Sequence, residues 1–272
     1  MRRRTAFLSA FAIGFSVVLT AHGQEFARIL RDGEQATLSV FGARPVDLAA
    51  KKLVDEFRVV INVEDPLYFY GDDVQFSHVA ASGKRVMIPR ASLLEVRFNV
   101  RPDGSLRDVR QVLADLVETA NAQLPFAYRI DRDGDTFTLV ATRTRDEKGR
   151  SVDLTPILDR RISIPLGTRR FLEHVTLLTH ALEEQTGVHV GCCTVTADNQ
   201  PGPPLEFRAD GEPARSAFLR LVRSRPARNH LVRSAGAYHL VPSEPGGYYW
   251  LLRCQPGESW CSINLNPIPD KR

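Results

Sequence analysis

The residue types that could do chemistry are few, and most lie in the C-terminal half. Four cysteines, Cys192, Cys193, Cys254 and Cys261, fall in the last third of the chain. In an oxidising compartment their default state is disulfide-bonded, and sequence leaves the pairing open. Joining Cys254 to Cys261 would force Cys192 onto its immediate neighbour, so two bridges from the adjacent pair to the C-terminal segment are preferred. A zinc site wants paired Cys-x-x-Cys or Cys/His spacing, which His189, Cys192 and Cys193 match only loosely.

His174 and His180 share one helical stretch, and His180 precedes Glu183 on one helix face. One such pair is not a metal site, and the His-Glu-x-x-His spacing of zinc proteases is absent. The phosphate-cradling glycine loop, the Gly-x-Ser-x-Gly elbow and the dinucleotide fingerprint are absent too. Asp131-Arg132-Asp133-Gly134-Asp135 alternates carboxylates like the start of a calcium loop, but its glycine comes too early and the closing glutamate is missing. A hairpin turn explains it better. No catalytic residue, metal or cofactor is expected. Arg215, Arg220, Arg223, Arg225, Arg228 and Arg233 form a basic cluster, read as a solvated helix face rather than a phosphate site. Tyr68, Phe69, Tyr70 and Phe76 crowd one insertion, where aromatics either form a partner surface or pack the loop onto its own domain.

The ends set the compartment. Arg2, Arg3 and Arg4 precede an apolar run from Ala6 to Leu19, and Ala21 and Gly23 bracket His22. That order predicts a secretory signal over 1–23, cleaved near Gly23. No later stretch is apolar for the length of a membrane span. Without the three arginines, 33 basic residues face 32 acidic ones, a net +1. A balance so close to neutral excludes a global attraction to nucleic acid.

The elements that position these residues recur. Leu94-Glu95-Val96-Arg97-Phe98 leads through Ser105, a predicted helix cap, into a helix carrying Leu106, Val109, Leu113 and Leu116, then a hairpin around Gly134. A shorter version runs from Leu205-Glu206-Phe207-Arg208 through a helix near 213–222 to a hairpin around Gly236. Before each comes a strand, a helix and a strand, the helix over 46–57 after Pro45 in one case and a helix ended by Gly187 in the other. The pattern predicts an α+β fold of two small repeated modules, each a mixed sheet of short strands packed on two helices. The first spans 24–143 with the aromatic insertion at 66–89, and the second spans 152–243. A charged linker covers 144–151. A Cys-containing tail covers 244–272, with Tyr248 to Leu252 as an edge strand or a strapped-down segment.

This order resembles the secretin and TonB short N-terminal domain, a small periplasmic α+β module, most closely over Leu94–Val140 and next over Ile162–Val190. The resemblance implies a periplasmic, non-catalytic interaction or assembly module that docks envelope proteins through exposed sheet edges or the aromatic loop. The rival expectation is a secreted hydrolase whose site unites His174, His180 or His189 with acidic residues of the second module.

Overall fold

The computed structural model describes residues 25–78, 85–192, 203–224, 228–234, 237–243 and 248–268. The expected signal segment, Cys193 and Gly236 lie outside them. The fold is α+β, with four α-helices and mixed sheets of short strands among the described residues. The first half runs β1 (Phe26–Asp32), β2 (Gln35–Gly42), α1 (Pro45–Phe57), β3 (Val60–Glu64), β4 (Val74–His78), β5 (Arg85–Pro89), β6 (Ser92–Asn99), α2 (Val109–Gln123), β7 (Ala127–Asp133), β8 (Thr136–Arg145) and β9 (Ser151–Asp153). The second runs β10 (Arg161–Arg169), α3 (Phe171–Thr186), β11 (His189–Cys192), β12 (Leu205–Pro213), α4 (Ala214–Arg223), β13 (Arg228–Ser234), β14 (Ala237–Ser243), β15 (Tyr248–Cys254) and β16 (Trp260–Pro267).

Local chemistry explains most boundaries. Pro45 opens α1 with its fixed φ, and Ala49, Ala50, Leu53 and Val54 form the buried stripe. Gly187 ends α3 at φ 68°, its N–H bonded to the Glu183 carbonyl. Helix α2 starts later than Ser105. The Asp103 side chain holds Ser105 in a turn, accepting from its amide and hydroxyl, and Leu106 forms a bridge to Val100. Asp108 is the cap, accepting from the amides of Arg110 and Gln111.

Strand order shows how the halves combine. A seven-stranded sheet carries β11-β16-β15-β3-β8-β7, with β9 added beside β8. In each half the strand after the first helix lies parallel to the second strand of a hairpin: β3 beside β8, and β11 beside β16. The hairpin serving the second half is therefore β15–β16, drawn from the stretch read as a tail, whereas β13–β14 pairs only with itself among the described residues. The first strands also correspond, since β2 pairs antiparallel with β6 and β10 with β12. The stretch read as a linker is a hairpin bend, because β8 extends to Arg145 and β9 begins at Ser151.

Strand β15 joins the two units by pairing parallel with β3. It is buried on both faces, which is what a continuous apolar run signifies when it is not an edge. Tyr249 and Leu251 enter the core built on α1, α2, β2, β6 and β8. Tyr248, Trp250 and Leu252 enter the core built on α3, α4, β10 and β12. Alternation along one strand thus serves two hydrophobic cores. Asn62 completes the junction: its side-chain oxygen accepts from the Trp250 amide at 3.0 Å and its amide donates to Thr138.

Candidate functional site

The three histidines occupy separate environments. His174 is fully buried in α3, its Nε2 is 3.0 Å from the Leu205 carbonyl, and its ring packs edge-on against Phe207. His180 is exposed and pairs with Glu184, one position beyond the glutamate expected from spacing. Glu183 instead contacts His189 Nδ1 at 3.0 Å. Among the described residues no group of three or more His, Cys, Asp or Glu side chains is arranged to hold a metal ion. Asp131 to Asp135 forms the β7–β8 turn, with Asp133 opposite Thr136 and Gly134 at φ 59°.

Cys254 is bonded to Cys261, not to the adjacent pair. The register explains it, since β15 and β16 place the two residues directly opposite each other. Both sulfurs sit in the second core. Cys192 is disulfide-bonded as well.

The densest polar site lies where the two units meet, and its centre is Arg215. Read from sequence as part of a solvated basic face, it is only 11 % exposed. Its Nε and Nη2 donate to the two oxygens of Glu64 at 2.5 and 2.8 Å, and Nη1 reaches Asp131 at 2.8 Å and Asp159 at 2.5 Å. Arg129 bonds the same two aspartates. Three carboxylates share two guanidiniums, so the cluster is one negative charge in excess. Glu64, the most deeply buried, has its pKa raised by desolvation, with Asp159 and Asp131 adding to the rise against Arg215. Asp131 is held below its ordinary value by Arg129 and Arg215 despite partial burial. The signal for Arg215 was its place in the first turn of a helix whose other face is apolar, and composition cannot show that a carboxylate waits there. Arg220 pairs with Glu212 and Arg223 with Asp133. Arg225 lies outside the described residues.

Two further pairs sew β15 to the first unit. Arg44 donates to Asp65 at 2.5 Å and to the Cys254 carbonyl at 2.9 Å. Arg253 donates to Asp47 at 2.7 Å. Burial raises the Asp47 pKa, and its second oxygen has no hydrogen-bond partner. A cleft of about 120 Å³ opens beside Arg44, lined also by Tyr68, Arg90, Phe126, Tyr128 and Arg145. Two of its arginines are ion-paired within the protein, Arg145 with Asp73 and Arg44 with Asp65, and Arg90 donates to the Asp72 carbonyl. These interactions fasten elements together.

The aromatic insertion divides. Tyr68 is buried, packs edge-on against Phe126 and donates its hydroxyl to Asp65. Tyr70 lies at the surface under the Arg145 guanidinium and donates to Asp72. Phe69 and Phe76 point outward, 50 % and 63 % exposed, and Arg85 sits 4.2 Å above the Phe76 ring. Several other outward apolar groups lie on sheet margins, Phe26 and Leu30 on β1, Leu93 on β6 and Leu166 on β10, and Leu172 is exposed on α3. Strand β1 ends its sheet, and β10–β12 is a two-stranded ribbon. No described helix is long and apolar enough to cross a membrane. Comparison of the chain with models of protein families, with curated proteins and with solved structures returned no match.

Proposed function

We propose that the protein is an exported, non-catalytic interaction or assembly module of the cell envelope, of the kind found in short N-terminal domains of secretins and TonB-dependent receptors. The observation that carries this reading is the outward placement of Phe69 and Phe76 on and beside the β4–β5 hairpin, beyond a framework whose buried charges are already paired. Exposed aromatics anchor partners by filling pockets, and the unpaired margins of β1 and of the β10–β12 ribbon offer backbone hydrogen bonds to an added strand. The basic start, apolar run and small-residue site over 1–23 support export, and the Cys254–Cys261 bond fits an oxidising compartment.

Affinity purification of the tagged chain from its native envelope, with mass spectrometry, tests this. A reproducible envelope partner that is lost on Phe69→Ser/Phe76→Ser substitution is the expected result. Absence of any partner, together with hydrolytic activity of the pure protein that requires His174, His180 or His189, would replace it with the hydrolase reading.

A further inference from the structure

Strand β1 is the outer strand of the β1-β2-β6 sheet, and among the described residues nothing pairs with its far side. The turn that follows fixes what that side offers. Asp32 and Gln35 are partners across the two-residue loop Gly33-Glu34, and Gly33 takes φ 59°, as the first central residue of a type II′ hairpin does. Residues flanking such a loop exchange both backbone hydrogen bonds, and the pairs alternate from there. Phe26, Arg28, Leu30 and Asp32 therefore turn their amide and carbonyl groups toward β2. Ala27, Ile29 and Arg31 aim theirs outward.

We propose that this edge pairs antiparallel with the same edge of a second copy of the chain, about a two-fold axis at Leu30. In that register Ile29 lies opposite Arg31 of the second copy, so outward donors meet outward acceptors. Leu30 meets Leu30 of the second copy. Arg28 meets Asp32 of the second copy, and the symmetry makes that ion pair twice. The three-stranded sheet becomes six-stranded.

The side chains select this arrangement. Leu30 is 55 % exposed, so its side chain is free to meet its counterpart across the axis. Arg28 and Asp32 are exposed on the same face, and neither has a salt-bridge partner among the described residues. Arg28 is held over the Phe26 ring, 5.2 Å from its centroid, which keeps the guanidinium on that face. Sliding the strands by two residues one way puts Arg28 opposite Leu30 and Phe26 opposite Asp32, and the other way puts Leu30 opposite Asp32 and Arg28 opposite the turn residue Glu34, which Arg107 already holds; either slide loses both Arg28–Asp32 pairs. Sliding by one sets outward groups against inward ones. Self-pairing at β1 takes up one of the two sheet margins that the adaptor reading offers and leaves the aromatic hairpin and the β10–β12 ribbon free for a partner.

Sedimentation equilibrium of the purified, oxidised chain tests it. A reversible monomer–dimer equilibrium is expected. Arg28→Asp and Asp32→Arg each place like charges in opposition twice and weaken dimerisation about tenfold or more. An equimolar mixture of the two variants regains the dimer, since each copy then presents the opposite charge to the other. Leu30→Cys gives a disulfide-linked dimer without altering any charge. A wild-type chain that stays monomeric at every concentration overturns the proposal, and so does a dimer indifferent to both charge reversals.

Discussion

Arg215 grips Glu64 by both carboxylate oxygens, at 2.5 and 2.8 Å, and so ties the first turn of α4 to the end of β3. The two residues come from different halves of the chain and meet out of water. Replacing Arg215 by Met strands Glu64 as a buried, unpaired carboxylate and is expected to cost about 3–5 kcal/mol in urea unfolding. The double variant Glu64→Leu/Arg215→Met recovers most of that loss, because no deeply buried carboxylate is then left unpaired and Arg129 still holds Asp131 and Asp159. Equal loss in the single and double variants would show that Arg215 acts through packing alone.

Stability should peak on the acid side of neutral. Glu64 and Asp47 have folded pKa values raised by burial, so the stability they contribute is full below their ordinary values of 4.5 and 3.8 and is lost as pH rises through the folded values. Asp131 is shifted the other way. Its contribution is present above 3.8 and lost as pH falls through its depressed folded value. Unfolding free energy measured across pH is expected to rise as pH falls through the raised folded values of Glu64 and Asp47, and to fall again as pH drops below 3.8 through the folded value of Asp131. Glu64→Gln, which keeps an acceptor for Arg215, flattens the decline on the neutral side.

The Cys254–Cys261 bond closes a short loop between two strands of the large sheet, both cysteines being buried. Removing it with paired alanines is expected to lower stability by about 2 kcal/mol. Under native conditions reductant should reach it only through opening of β15–β16, so thiol labelling with and without mild denaturant checks the point.

Tyr68, Phe69 and Phe76 are neighbours in sequence but not in role. Tyr68→Ala removes a buried ring packed on Phe126 and is expected to cost about 3 kcal/mol or more. Phe69→Ser and Phe76→Ser fall on exposed rings and should change stability by about 0.5 kcal/mol or less. Thermal unfolding of the three variants separates packing from surface.

Much of the framework was legible because local signals carry it. Pro45, Gly134 and Gly187 each demand one backbone conformation, and the alternation of Leu94, Val96 and Phe98 marks a strand with one buried face. What escaped depends on distant partners. Tyr248 to Leu252 is an apolar run whose meaning changes with its neighbours, and only the parallel pairing with β3 makes it the strand shared by two cores. Ser105 is a good cap by type, but Asp103 captures it first. The disulfide followed strand register, which spacing does not encode. Arg215 looked like its neighbours Arg220 and Arg223 because the carboxylates it serves lie some 56 to 151 positions away in sequence.

Photo-crosslinking in the native envelope tests the adaptor account most directly, with a photoreactive amino acid placed in turn at Phe69, at Phe76 and, as a control, at exposed Leu172 on α3. The account predicts one and the same envelope protein captured from positions 69 and 76 and not from 172. Capture of nothing at 69 and 76, or of the same proteins from all three positions, would contradict it.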